Sequence, residues 1–200
     1  MPATELSVDA LRARVATVLD RRRKALTLEG RIRAAVLVLF VYRAGVPALV
    51  FGKKTEDVPH HKGQFSFPGG VVQHTDGSVV EAALREAWEE IRLPAEAVEV
   101  LGLLDDTETR ATSFIITPVV GIVTEAVDFV PDGREIERVI EVPLETLADP
   151  AIFRAETWAR GGESHEVYFY QVSPDDLVWG ATARIVKQFL DMLAEEARRE

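Results

Sequence analysis

Glu86, Glu89 and Glu90 stand at i, i+3 and i+4 behind the double glycine Gly69-Gly70. On a helix that spacing brings three carboxylates to one face. Each like-charged neighbour pair destabilises an isolated helix by about 0.2–0.5 kcal/mol, a penalty that a bound divalent cation reverses. Hard oxygen donors suit Mg²⁺ or Mn²⁺, with waters and substrate phosphate oxygens completing the coordination. The chemistry this suggests is metal-assisted phosphate chemistry. Glu86 and Glu90 are the first-choice metal ligands, and Glu89 is a third ligand or the base that orients a water. An acidic run on an exposed helix is more commonly a plain solvated face. The residues around the triplet therefore decide its meaning.

Local rules place the helix that carries it. Ser78 is a good N-cap and Glu81, three residues on, completes a capping box. Val80, Leu84, Ala87, Trp88 and Ile91 form an apolar stripe that can pack on a sheet, with the glutamates projecting from roughly the opposite side. Gly69 and Gly70 allow a tight turn that brings backbone close to the metals or to a bound diphosphate. Lys53, Lys54 and Lys62 are point charges near this turn and are the substrate-binding candidates for phosphate. Acids in Asp132-Gly133-Arg134-Glu135-Ile136-Glu137 could supply a base from a later loop, although exposed acids at a strand start are mostly solvated bystanders.

The remaining elements describe one α/β domain. Apolar and β-branched runs predict strands over Ala34–Tyr42, Ala48–Lys53, Val98–Leu104, Phe114–Val123, Val139–Val142 and Val167–Val172, the first two joined by a Gly45-Val46-Pro47 turn. A partial stripe of Leu6, Leu11, Val15, Val18 and Leu19 predicts an N-terminal helix, with Arg21-Arg22-Arg23-Lys24 complementing its C-terminal dipole. The domain proper begins near Gly30, which leaves 1–29 as a helical extension and 30–200 as the catalytic domain. A last helix starts near Trp179, its Ile185, Val186, Phe189, Leu190 and Leu193 serving core or dimer packing. A mixed sheet with the glutamate helix on one side and the last helix on the other satisfies these elements.

Composition restricts the function classes. With 200 residues, 47% hydrophobic and 28% charged, the chain is an ordinary globular size for one core. It has no cysteine, which removes thiolate nucleophiles and disulfides, and its four histidines lack a ligand spacing. A net charge of −10 argues against nucleic acid as a partner. No apolar run nears the roughly 20 residues of a membrane span and no secretory signal opens the chain, so a cytoplasmic enzyme is expected.

Phe67-Pro68-Gly69-Gly70, then Asp76, then Arg85-Glu86-Ala87-Trp88-Glu89-Glu90-Ile91-Arg92-Leu93 resemble the Nudix box of nucleoside-diphosphate-linked hydrolases. Two departures stand out: the spacer between Asp76 and Arg85 is eight residues, one longer than usual, and Arg92 replaces the closing glycine. The latter implies a local change at the helix exit or a slightly longer helix. His61-Lys62-Gly63-Gln64-Phe65-Ser66-Phe67-Pro68-Gly69-Gly70, Thr117-Pro118-Val119-Val120-Gly121 and Trp179-Gly180-Ala181-Thr182-Ala183 are similar to the coenzyme A pyrophosphatase branch. Gln73 and Thr109 to Ser113 depart from it. The resemblance implies an α/β/α sandwich with a mixed β-sheet between helices, a homodimer, and an Arg85 that holds an acid of the loop in an ion pair. It also implies cleavage of coenzyme A or an acyl-CoA to 4′-phosphopantetheine and adenosine 3′,5′-bisphosphate. Nucleoside triphosphates, ADP-ribose and dinucleoside polyphosphates are the alternative substrates, and a non-catalytic nucleotide-binding module is a further alternative.

Overall fold

The computed structural model describes residues 7–19, 23–27, 29–57, 62–109, 113–160 and 162–198. Leu6, Arg21, Arg22, His60, His61 and residues 110–112, all used in the sequence reading, lie outside them.

The central strand β1 (Ile32–Arg43) is aliphatic on both faces because it separates two cores. Ala35, Leu37, Leu39 and Val41 face one core, and Val38 and Phe40 face the other. This is the period-two alternation of a strand with both sides buried. Ala44 and Gly45, both at positive φ, reverse the chain into β2 (Val46–Lys54), antiparallel to β1. The turn therefore sits one step earlier than expected, since Val46 and Pro47 already belong to the strand.

Beyond the hairpin β1 and β2 separate. β3 (Phe65–Ser66) pairs with the end of β2, and β4 (Gly69–Val71) pairs with Ala34–Val36 of β1. Strand β5 (Glu99–Leu103) and the short β6 (Thr107–Glu108) lie against β7 (Phe114–Val123), which runs parallel to β1 from Ile32 opposite Phe114 to Val41 opposite Val123. β8 (Ile136–Pro143) closes the outer edge of β2. The result is an eight-stranded mixed sheet.

Helix α1 (Val8–Leu19) sits against the sheet face that carries Val38 and Phe40. Helix α2 (Val79–Ile91) covers the opposite face through Ala82, Ala83, Ala87 and Ile91. A short α3 (Leu144–Ala148) leads to β9 (Phe153–Arg160), β10 (Glu163–Ser173) and β11 (Asp176–Trp179), a separate antiparallel sheet. The final helix α4 (Gly180–Ala197) packs with α1, and its Phe189 meets Phe40 at a ring-centroid distance of 5.1 Å. The expected α/β/α layering is present, thickened on the α1–α4 side by the second sheet. Among the described residues, no helix is long and apolar enough to cross a membrane.

Several expectations are corrected. Trp88 is 48% exposed and Glu90 only 3%, so the buried stripe of α2 is rotated toward the glutamates. Small Ala83 and Ala87 let the helix approach the sheet closely, where an indole would not fit. Leu11, Val15 and Val18 are wholly buried, Leu11 and Val15 in the core that holds Phe40 and Phe189, so α1 packs into the same core as the sheet. The same core takes the α4 stripe, which answers the choice between core and dimer packing for Ile185, Val186 and Phe189. Arg23 does not serve a helix end: its guanidinium pairs with buried Asp106 and its Nε donates to the Leu104 carbonyl at 2.9 Å. Strand β9 was not anticipated, since its FRAETWAR sequence is too polar to announce a strand.

Candidate active site

The site forms where β1 and β2 part and α2 runs beneath the gap. Ser78 starts that helix, its side chain accepting the Glu81 N–H at 3.1 Å. Glu81 returns a bond to the Gly77 N–H at 3.0 Å, so the reciprocal half of the capping box falls one residue early. At the other end Arg92 itself takes the left-handed conformation, with φ 58° and ψ 31°. The helix exit thus keeps the geometry of a closing glycine without the glycine, and neither expected change occurs. Arg92 covers its exposure by lying 5.6 Å from the Trp88 ring centroid.

Glu90 is the most deeply buried of the three glutamates. Its Oε2 accepts the Gly69 N–H at 3.1 Å and its Oε1 lies 3.1 Å from Lys54 Nζ. Burial pushes its pKa up to about 7, and Lys54 and the Gly69 N–H oppose that rise. Burial also acts to lower the Lys54 ammonium, but Glu90 and Glu135 outweigh it and the lysine pKa rises. The two shifts pull the ion pair in opposite directions. For Glu90 desolvation is the dominant influence, because few groups other than Lys54 and Gly69 reach it.

Glycines make the carboxylates fit. Gly69, at φ 156°, sits so close to β1 that a Cβ would strike the Ala35 carbonyl and Val36 Cα. A Cβ on Gly70 would come within 2.5 Å of Glu86 Oε1. Glu86 has its pKa raised by burial and opposed by Arg85, whose Nη1 is 2.9 Å from Glu86 Oε1. Arg85 forks onto Asp76 through Nε at 2.9 Å and Nη2 at 3.0 Å, and reaches the Val71 carbonyl at 3.2 Å. Arg85, with the Gln73 N–H, holds the Asp76 carboxyl below the usual carboxylate range. The acid that Arg85 grips in the loop is therefore Asp76. Glu89 stands further out, with a side chain 53% exposed and 3.3 Å from Arg85 Nη1.

The lysines separate. Lys54 enters the site, whereas Lys53 pairs with Glu137 at 2.7 Å. Consecutive strand residues point to opposite faces, so both could not serve one phosphate. Lys62 is exposed on the turn before β3.

Glu135 was discounted as a bystander, yet it stands at the site, 3.3 Å from Lys54 Nζ. Its loop is tied down on three sides. Asp132 accepts the N–H groups of Arg134, Glu135 and Ile136, Thr55 Oγ1 donates to the Arg134 carbonyl at 2.8 Å, and the Asp132 N–H donates to the Glu90 carbonyl at 3.0 Å. The Asp132-Gly133 turn was the available signal for an ordered acid.

Among the described residues no three acid or histidine side chains already converge as a ready-made metal cage. Glu86 and Glu90 instead face Arg85 and Lys54, cations of the chain itself. Hard oxygen donors that are buried, reluctant to stay charged and currently neutralised by cations fit a divalent ion.

A family model described as NUDIX domain matches residues 31–177. The Nudix hydrolase NudL of Enterobacter sp. (strain 638), described as uncharacterized, is 38% identical over 160 residues that cover 79% of this chain and 81% of that protein. The protein of the same description from Escherichia coli O1:K1 / APEC is 35% identical over 156 residues, 78% of this chain and 80% of its own length. In fold, the chain is similar to RenU, a Nudix hydrolase from M. smegmatis, with a TM-score of 0.56 at 20% identity over 84% of this chain and 89% of that one. With the family match running from β1 through β11 and around the carboxylate site, the chain belongs to the Nudix family: it is a Nudix hydrolase, of the class that acts on small nucleoside-diphosphate-linked compounds and uses divalent cations.

Proposed function

We propose that this hydrolase cleaves the diphosphate of coenzyme A or an acyl-CoA, giving 4′-phosphopantetheine and adenosine 3′,5′-bisphosphate, with Mg²⁺ or Mn²⁺ held by Glu86 and Glu90. The observation that carries the metal assignment is Glu90, a carboxylate buried at the junction of α2, β4 and β2 and balanced by a lysine. When bound, the cation polarises the phosphate oxygens and makes the attacking water more acidic. The chain's own residues do the rest. The Gly69 N–H fixes Glu90 Oε2, and Arg85 fixes Glu86 while anchoring the loop through Asp76. Glu89 and Glu135, both exposed, are the proton acceptors within reach of solvent. Glu135 gains weight from its pinned loop.

The choice of coenzyme A rests on sequence outside the box. Residues 62–70 include β3 and most of β4, which fill the split between β1 and β2, and Thr117 of the second similar stretch is wholly buried beside β1. β3 and β4 lie next to the carboxylates, where groups of the substrate beyond the diphosphate can be chosen, whereas Thr117, bonded to Asp106 at 2.7 Å, supports the sheet from within. We further propose that it acts on small molecules as a cytoplasmic homodimer, the dimer following from the resemblance to the coenzyme A pyrophosphatase branch.

The test is incubation with Mg²⁺ or Mn²⁺ and a panel of coenzyme A, ADP-ribose, nucleoside triphosphates and dinucleoside polyphosphates, with products identified by mass. Coenzyme A is expected to be cut to the two named products, and Glu90→Gln to lose activity by about 10²-fold or more. Glu89→Gln and Glu135→Gln run beside it, the larger fall in kcat marking the base. Preferential cleavage of another panel member would overturn the coenzyme A reading and leave the metal site intact.

A further inference from the structure

Lys54 holds a place that the hydrolytic scheme does not use. A register shift between Lys53 and Lys54 in the β2–β8 pairing leaves Lys54 opposite Ile136. The extra residue, Glu137, lies in β8, so β2 keeps its alternation and sends Lys54 to the face opposite Lys53. The backbone of Lys54 is clamped as well: its N–H donates to the Gln64 carbonyl at 2.9 Å, and its carbonyl accepts the Gly63 N–H at 3.1 Å. The aim of this side chain at Glu90 is thus built into strand register and into the turn before β3.

That placement has two electrostatic consequences. Without an opposite charge, Glu90 would be a buried carboxylate with one backbone donor, an expensive arrangement. Lys54 relieves it at 3.1 Å. A divalent cation approaching the same carboxylate must then meet an ammonium already there, and like charges at such range repel strongly where water is scarce. The lysine also has somewhere to go. Glu135 Oε2 is 3.3 Å from the same Nζ, on a side chain that is 60% exposed.

We infer that Lys54 is a resident counter-ion that exchanges with the divalent cation at Glu90, shifting onto Glu135 as the metal binds and so setting metal affinity by competition. The inference rests on Glu90 being a metal ligand, as proposed above. It assigns Lys54 a positioning role in place of direct phosphate binding.

Mn²⁺ binding, followed by the electron paramagnetic resonance signal of the free ion, tests this on the full chain, together with thermal unfolding with and without Mn²⁺. Lys54→Met and Lys54→Gln are expected to bind Mn²⁺ about tenfold tighter than the wild type. Both should melt lower without metal and show a larger Mn²⁺-induced rise in Tm, since their Glu90 has lost its counter-ion. Lys54→Arg, which keeps the charge, should stay near wild type. Glu135→Gln, which removes the lysine's second partner, should weaken Mn²⁺ binding about threefold, and it tests the exchange even if the neutral Lys54 variants do not fold. Neutral variants that fold but bind Mn²⁺ no tighter, or an unchanged affinity in Glu135→Gln, overturn the inference. A wild type that binds no Mn²⁺ removes the ligand assignment itself, which is a distinguishable failure.

Discussion

Glu90 shows how one residue can be costly to the fold and useful to the chemistry. Its pKa stands at about 7 in the folded chain against an ordinary 4.5. Between those two values the folded state binds more protons than the unfolded state, so stability must rise as pH falls through that window. The metal-free protein is therefore expected to show a higher Tm at pH 5.5 than at pH 7.5. Mn²⁺, which favours the charged carboxylate, should flatten or reverse the slope, and Glu90→Gln should abolish it. Thermal melts in EDTA and in Mn²⁺ across that range check the sign. A metal-free Tm that falls from pH 7.5 to pH 5.5 would show that the Lys54 pair, not burial, governs this carboxylate. Further down the scale the direction inverts. Asp76 and Asp106 have depressed pKa values, so their contributions are lost as pH falls below the ordinary aspartate value of 3.8.

At the level of elements, α2 and its two ends hold the box in place. The helix has a good cap at Ser78 and a left-handed exit at Arg92. A left-handed conformation costs a residue with a Cβ about 1–2 kcal/mol, while glycine loses about 0.5–1 kcal/mol in chain entropy. Arg92→Gly should accordingly stabilise the protein by about 0.5 kcal/mol, offset in part by the lost stacking on Trp88. Urea unfolding measures this, and a loss of stability would mean that the Arg92–Trp88 contact outweighs the backbone strain. The β1–β2 hairpin matters in another way. Its strands pair only near the turn, and their separation admits β3 and β4, so Gly69 and Gly70 arrive against α2 as strand residues with fixed backbone. A glycine loop without that pairing would not set the Gly69 N–H on Glu90.

Across the whole molecule, Asp106 ties the chain's beginning to its sheet. Its buried carboxylate pairs with Arg23 and lies 3.6 Å from Arg33 Nη1. It also accepts from Thr117 Oγ1 at 2.7 Å and from the Leu26 N–H at 2.8 Å. Removing one member of a fully buried network costs roughly 3–5 kcal/mol, and the partial exposure of both arginines reduces this to about 2 kcal/mol for Asp106→Asn. Hydrogen exchange should show the Leu26 amide losing protection before the β1 amides do. Equal loss at both would mean that residues 23–27 unfold only with the domain. Because α1 shares the core of Phe40 and Phe189, residues 23–27 act as a brace between that core and the sheet.

The sequence by itself determined what local physics controls. Ser78 marked the start of α2, the apolar run Phe114–Val123 coincides with β7, and the Pro-Gly-Gly turn with its Arg-Glu and Glu-Glu words marked the box. These depend on capping, alternation and glycine freedom within a few residues. Tertiary structure decided which charges meet. Glu135 reaches Lys54 across 81 positions and Arg23 reaches Asp106 across 83. It also turned Trp88 outward and Glu90 inward, and sent Lys53 and Lys54 to opposite faces of β2. Such pairings follow from sheet register and from the depth at which a helix docks. Both are set by the sum of long-range packing, so no local pattern could reveal them.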